Sequence, residues 1–307
     1  MYRKVFISGV SGFIGRTLGS YLCNRNYTVY GLSRDPQKTS DETDKRIQLL
    51  PWLGDDENWI HDIDQSSVFI HLAGSNISTH RWSDRIKNQI RSSRVLTGKY
   101  LVQLFKQNNK YPGLFLQASA IGYYGNVSEG LVDESSPKGA GFLADTSSEW
   151  ENSTKELENA GIKRHVLRIG MVLGRDGGAL PKLVLPQKYF LGAYFGSGSQ
   201  GISWIHLNDL AGVIGHLIEN ESELSIFNLT APKPVSNKNF CKIVGKVIKR
   251  PCLFKLPAKI LEIILGEMGR ELILNGAFVH PQAVLKTGYE FKYPELYDAL
   301  SNLLLKS

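Results

Sequence analysis

Cysteine is scarce in this chain: Cys23, Cys241 and Cys252 are the only three in 307 residues, and no two of them form a Cys-x-x-Cys pair. An odd number without metal-ligand spacing argues against a zinc site and a disulfide framework, and suits a reducing compartment. Long apolar runs are missing too; none reaches the ~18 residues that a membrane-spanning helix needs. The first strand pattern begins at residue 4, which leaves no space for a signal or transit peptide, so a soluble cytoplasmic protein with no membrane partner is expected. Internal repeats and low-complexity segments are absent. What remains is ordinary globular material, 42% hydrophobic and 21% charged, long enough for one large domain with a smaller second lobe, since single cores stop growing near ~250–300 residues.

Acidic residues are thin in one region. Between Arg81 and Lys110 stand eight Lys/Arg against the single acid Asp84, which equals the whole net charge of +7; the other 28 basic and 28 acidic residues cancel. Without exposed aromatics interleaved among the cations, or a recognisable reading module, this excess does not describe a nucleic-acid binder. At 100° per residue Ile86, Ile90, Leu101 and Leu104 share one helix face, with Lys87, Arg91 and Arg94 on the adjoining one. The apolar face packs on a sheet; the basic face looks toward a ligand crevice or toward water.

Short β-rich runs at 4–8, 28–32, 47–50, 68–72, 114–118 and 165–169 alternate with helical or loop segments, the pattern of a parallel sheet wound by right-handed crossovers. The first run delivers Gly9-Val10-Ser11-Gly12-Phe13-Ile14-Gly15 into a helical stretch. A strand, a glycine turn and a helix N-terminus form a pyrophosphate cradle, because the turn admits close backbone approach and the helix offers unpaired N–H donors. The expected fold is α/β, a Rossmann-type doubly wound parallel sheet with a smaller, mostly helical C-terminal lobe. Residues 1–170 form the NADP-binding Rossmann domain, to which 203–228 returns, and 171–307 form a substrate lobe with a helical tail at 236–307. Asn208 or Asp209 caps a helix over 210–219, and glycine-dense loops at 170–178 and 192–201 suit a ligand or irregular connections between lobes.

Cofactor contacts are expected from Gly9, Ser11, Gly12, Phe13, Ile14 and Gly15 of the turn. The second strand ends in Ser33-Arg34, where an acid selects NAD and an arginine accommodates the 2′-phosphate, so NADP (NADPH) is the expected cofactor; the plainer reading of Arg34 is an exposed arginine after a strand. The fourth run closes His71-Leu72-Ala73-Gly74, whose small residues let a ribose lie against backbone. His71 itself reads as a buried strand residue rather than a proton donor. Asn76 follows that strand end, and Lys87, Ser93 and Arg94 on the basic helix are candidates for ribose or phosphate, with solvation as the alternative for the charged ones. Ser119, His206 and Asp209 do not make a hydrolase triad, since no Gly-x-Ser-x-Gly elbow is present. Arg168, ending the sixth run, reads equally as half of a structural ion pair or as a substrate contact. Asp133 and Glu134 read as loop acids.

Gly9-x-x-Gly12-Phe13-Ile14-Gly15, His71-Leu72-Ala73-Gly74, Ser119-Ala120-Ile121-Gly122-Tyr123-Tyr124-Gly125 and Ser203-Trp204-Ile205-His206-Leu207-Asn208-Asp209 resemble the extended short-chain dehydrogenase/reductases of the nucleoside-diphosphate-sugar epimerase group. Gly74-Ser75-Asn76-Ile77, Trp82, Ser93-Arg94, Phe142-Leu143-Ala144, Trp150-Glu151, Gly170-Met171-Val172-Leu173-Gly174 and the tail from Leu256-Pro257 resemble its atypical, YfcH-like, NAD-dependent epimerase-family branch. The likeness runs from Lys4 to about Leu300. It implies a catalytic Tyr-x-x-x-Lys, yet none of the 13 tyrosines has lysine four residues later. Leu143 stands for the tyrosine and Ser147 for the lysine. Ser119 matches the family's serine and, with Tyr123, is a candidate catalytic residue; Tyr124 is a second phenol on the same loop.

Two functions follow from this reading. One is an NADP(H)-dependent oxidoreductase or epimerase-like enzyme acting on a small molecule with an atypical acid/base. The other is an NADP(H)-binding protein without turnover that senses redox state or regulates a partner.

Overall fold

The structure, a computed structural model, describes residues 2–52 and 57–305; the last two residues of the expected tail lie outside that range. Its centre is a seven-stranded parallel sheet of β1 (Lys4–Ser8), β2 (Thr28–Ser33), β3 (Gln48–Pro51), β4 (Ser67–His71), β5 (Leu114–Ala120), β6 (Lys163–Ile169) and β7 (Ile226–Leu229), in the order β7-β6-β5-β4-β1-β2-β3. Val5, Phe6 and Ile7 on β1 and Val68, Phe69 and Ile70 on β4 are all buried. Consecutive apolar residues are what a strand covered on both faces requires. Strand order reverses between β1 and β4, and ligands of such sheets bind outside the strand ends at that point.

Helix α1 (Phe13–Cys23) covers one face, sharing a core of Leu18, Leu22, Leu210 and Ile214 with α5 (Leu207–Glu219). Helix α2 (Asp84–Asn108) covers the other through Leu101, Leu104 and Phe105 against Trp59, Phe69 and Phe115. Ser83 caps α2 by accepting from the Ile86 N–H, and Asn109 ends it in the left-handed conformation at φ 48°. Helix α3 (Phe142–Asn152) packs beside α2. Three of the six cations on α2 are matched from outside: Arg91 pairs with Glu149 of α3, Lys106 with Glu156 and Lys87 with Glu267.

The second lobe has its own core, in which Leu180 and Val184 of α4 (Leu180–Lys188), Trp204, Phe240 and Val244 of α6 (Asn237–Ile248), and Leu300 meet. It also holds a two-stranded parallel ribbon, Gly192–Phe195 with Cys252–Leu256, ahead of α7 (Ala258–Leu265). The cysteine expectation fails here, because Cys241 and Cys252 form a disulfide. Lys249 turns the chain at φ 55° just after α6 and brings Cys252 back beside that helix, a juxtaposition that an 11-residue separation does not announce. A second correction concerns α5, which starts at Leu207 with His206 as its cap; the His206 Nδ1 accepts from the Asn208 N–H. Asp209 accepts instead from the backbone N–H groups of Lys292 and Tyr293, so this buried acid ties the tail to α5.

His71 is wholly buried. Ser8 Oγ lies 2.7 Å from its Nδ1 and Thr97 Oγ1 3.3 Å from its Nε2, which ties β1 and β4 to α2. Burial, helped by the charge of Arg94, depresses its pKa to about 3, and burial depresses that of His165 on β6 to about 4. Both rings stay neutral in the fold while the unfolded chain takes up protons below about pH 6.5. Stability is therefore full above that pH and falls as pH drops toward the two depressed values, by up to ~1.4 kcal/mol per unit for each histidine. His71→Leu should remove one of these two slopes. Urea midpoints at pH 7 and pH 5 measure it, and an unchanged pH dependence would contradict the assignment.

Candidate functional site

The glycine turn sits at the reversal point of the sheet. Gly9 adopts φ 78°, and the Gly12 N–H returns to its carbonyl at 3.0 Å, closing the turn. A side chain at Gly15 would collide with that same carbonyl, so only glycine lets α1 come this close to β1. Gly12 caps α1 without any side-chain bond, and the first turn carries no acid. Its free N–H groups and positive dipole end are left for an anion. Ser11 and Gly12 are exposed, Phe13 and Ile14 half-buried, and backbone of Leu72 and Ala73 lies directly against Gly9. The glycine-dense 174–178 loop folds over the Phe13 ring so tightly that a side chain at Gly174 or Gly177 would strike it.

At the end of β2, Ser33 Oγ bonds Thr39 Oγ1 at 2.6 Å and the Asp35 carboxylate caps the short helix Pro36–Ser40. Arg34 between them is exposed, and among the described residues no carboxylate pairs with it. Beyond β4, Asn76 Oδ1 accepts from the N–H and hydroxyl of Ser78, while Ser93 Oγ bonds the N–H and hydroxyl of Ser75. Lys87 is not turned to the glycines: it reaches Glu267 of the second lobe at 2.8 Å and lies over the Phe142 ring. Arg94 differs from its neighbours. Its guanidinium touches Gly74, lies 5.1 Å over the Trp150 ring and donates to the Ile90 carbonyl at 2.9 Å, with no carboxylate partner among the described residues. Burial lowers its pKa to about 10. The buried Trp150 Nε1 and Thr146 Oγ1, one helical turn apart on α3, have no hydrogen-bond partner among the described residues.

The end of β5 meets a sealed polar chain. Ser119 Oγ donates to Glu151 Oε1 at 2.7 Å; Arg168 grips both oxygens of Glu151 at 2.8 and 2.9 Å and donates to Tyr124 Oη at 3.0 Å; Tyr124 donates to Asn228 Oδ1 at 2.7 Å. Glu134 accepts from the Asn228 N–H at 2.8 Å, and burial raises its pKa. Burial alone would depress the Arg168 pKa, but the bonds and charge of Glu151 outweigh it and raise it. Arg168 is thus half of an ion pair, and its guanidinium also lies 3.5 Å below the Tyr123 ring. Ser119 is only 2% exposed. Tyr123 is half-exposed, and its hydroxyl has no protein hydrogen bond among the described residues. Leu143 and Ser147 pack against Gly122 of this loop, and Glu271 accepts from the Leu143 N–H at the start of α3. His206 stacks on Tyr293, away from Ser119.

The partners Glu151, Asn228 and Thr97 had no role in the sequence reading, and Tyr124, read there as a second phenol, is instead bonded to Arg168 and Asn228. Glu151 was visible only as part of a Trp-Glu pair, and no spacing rule links it to Ser119 and Arg168, which come from other strands. Taken together, an open helix N-terminus, a glycine cradle that a Cβ would fill and an arginine without a carboxylate partner after β2 fit a dinucleotide. Among the described residues no cluster of three or more His, Cys, Asp or Glu could hold a metal.

Residues 5–230 match the NAD dependent epimerase/dehydratase family, and 256–303 match a domain of unknown function (DUF1731). The chain is 35% identical over 302 residues to the epimerase family protein SDR39U1 homolog, chloroplastic, of Arabidopsis thaliana, spanning 98% of this chain and 86% of that one. It is 33% identical over 302 residues to the epimerase family protein YfhF of Bacillus subtilis, spanning 98% of each. A crystal structure of the human epimerase family protein SDR39U1 (isoform 2) with NADPH superposes with a TM-score of 0.85 at 28% identity, covering 99% of this chain and 100% of that one.

Removing one member of a buried ion pair strands the other charge, at a cost of ~3–5 kcal/mol. Glu151→Gln should therefore lower unfolding stability by about 3 kcal/mol, against ~1 kcal/mol for Ser119→Ala, which loses one hydrogen bond. Denaturant titration separates the two, and equal small losses would show that the ion pair is not a keystone.

Proposed function

The chain belongs to the NAD dependent epimerase/dehydratase family, and on that footing we propose that it is an NADP(H)-dependent oxidoreductase or epimerase-like enzyme of a small molecule. The observation that carries the cofactor choice is Arg34, an exposed, unpaired guanidinium where an acid would serve NAD. The human relative solved with NADPH supports the same choice. Gly9, Ser11, Gly12, Phe13, Ile14 and Gly15 would hold the diphosphate, and Leu72 to Gly74, Asn76 and Ser93 would border the ribose side. Arg94 meets the description of a phosphate or ribose partner; Lys87, already paired, does so less well. Bound there, a nicotinamide supplies or takes up hydride.

Proton handling then falls to the chain. With leucine at 143, the free phenol nearest the end of β5 is Tyr123, whose ring is held by Arg168. Tyr123 Oη would give its proton to a carbonyl oxygen as the carbonyl carbon gains hydride, or in reverse take the proton of an alcohol as its carbon loses hydride. Ser119 orients its neighbours rather than the substrate, because its proton is committed to Glu151. That commitment, with Leu143, favours a second reading in which NADP(H) is bound without turnover and reports redox state to a partner. Dependence on NADPH is in keeping with a cytoplasmic protein; no described helix is long and apolar enough to cross a membrane.

Arg34→Asp should weaken NADPH binding at least about ten-fold and shift preference toward NADH, as expected when the partner of a phosphate is removed. Nucleotide fluorescence measures both, and unchanged discrimination would remove Arg34 from the site. In a screen of carbonyl compounds and nucleotide sugars with NADPH, turnover should be lost in Tyr123→Phe while binding persists. Binding with no turnover in any variant favours the second reading.

A further inference from the structure

Two stretches of the second lobe contain no acid at all. Residues 177–208 carry Lys182 and Lys188, and residues 231–261 carry Lys233, Lys238, Lys242, Lys246, Lys249, Arg250, Lys255 and Lys259, ten cations and no Asp or Glu. Only Lys233 has a carboxylate partner among the described residues, Glu295. The contrast with α2 is direct, because the Lys87, Arg91 and Lys106 charges there are each met by an acid.

Large apolar side chains stand exposed in these stretches and, as Ile263 and Ile264, just beyond Glu262, the exposed acid that ends the second one. Leu185, Tyr189, Phe190, Leu191, Leu253, Phe254, Ile263 and Ile264 are each more than half exposed, Ile263 reaching 75% and Tyr189 71%. They are joined through the fold. Tyr189, Phe190 and Leu191 follow the end of α4; Arg250 lies 4.4 Å over the Phe190 ring; and the next residue, Gly192, pairs with Cys252 while Ala193 pairs with Phe254. Pro257 then leads into α7, which buries Leu261 and turns Ile260, Ile263 and Ile264 outward at helical spacing.

We propose that this face of the second lobe docks on an anionic lipid bilayer, with the apolar side chains entering the headgroup boundary and the unpaired lysines meeting lipid phosphates. Apolar residues interleaved with cations on a surface helix and turn are the mark of an interfacial binder rather than a spanning one. Lysine stems cover apolar surface while their ammonium groups reach the phosphates. A second copy of the chain fits poorly, since a two-fold contact sets the patch against itself and opposes like charges. Nucleic acid would satisfy the lysines but has nothing to bury leucine and isoleucine side chains.

Sedimentation of the full chain with vesicles tests this. Vesicles of phosphatidylcholine with about 30% phosphatidylglycerol should bind it at least about ten-fold better than phosphatidylcholine alone, with affinity falling as salt rises. The triple variant Phe190→Ser, Leu191→Ser, Phe254→Ser should lose most of that binding with an unchanged melting temperature, and Lys255→Glu with Lys259→Glu should weaken it too. No binding at low salt, equal binding to both vesicles or full binding by the triple variant would overturn the proposal. So would tighter binding of an oligonucleotide, or self-association in the ultracentrifuge that the triple variant abolishes.

Discussion

The helix N-terminus at Gly12 is the constraint on which the site depends. Gly15 lets α1 approach the Gly9 carbonyl, Gly9 takes the left-handed turn that makes the approach possible, and the result is a row of backbone donors at the point where the sheet order reverses. No side chain caps those donors. Around them lie the β4-end backbone of Leu72 and Ala73 against Gly9, and Phe13 under the 174–178 loop. A helix end left uncapped is electrostatically incomplete until an anion arrives.

Charge is handled in three ways across the molecule. On α2 half of it is matched by acids from α3, the segment that follows α3 and the second lobe. Beneath the loop of Tyr123 it is buried and paired, Glu151 with Arg168, where burial makes the pair costly to break and geometry fixes Ser119, Tyr124 and Asn228 in one chain. In the acid-free stretches of the second lobe, Lys233 apart, it is neither matched by a carboxylate among the described residues nor buried, and apolar side chains share that surface. The first two hold the fold together. The third is arranged for something outside the chain.

Much of the sheet was legible in the sequence, because β1 and β4 centre on unbroken apolar runs, β5 opens with Leu114-Phe115-Leu116, and the glycine turn has one physical reading. β7 was not, since its four residues carry Asn228 in the middle and it packs at the edge. The α5 cap was misassigned because His206, a ring that can accept a hydrogen bond, stands just before the residues that usually take that role. The disulfide was missed because the bend at Lys249 decides it, and a positive φ at a lysine leaves no mark in the sequence. Of the site, the turn and Arg34 could be read locally; the Ser119, Glu151 and Arg168 cluster could not, because its members come from β5, α3 and β6 and meet only when the sheet forms. Net charge misled in a related way. Summing the residues outside 81–110 to zero concealed two acid-free stretches that share one lobe.

The most direct test is a crystal structure of this protein with NADPH. The account predicts the diphosphate within hydrogen-bond distance of the Phe13 or Ile14 backbone N–H and the 2′-phosphate against the Arg34 guanidinium. A nucleotide lying elsewhere, or no binding at saturating coenzyme, would contradict it.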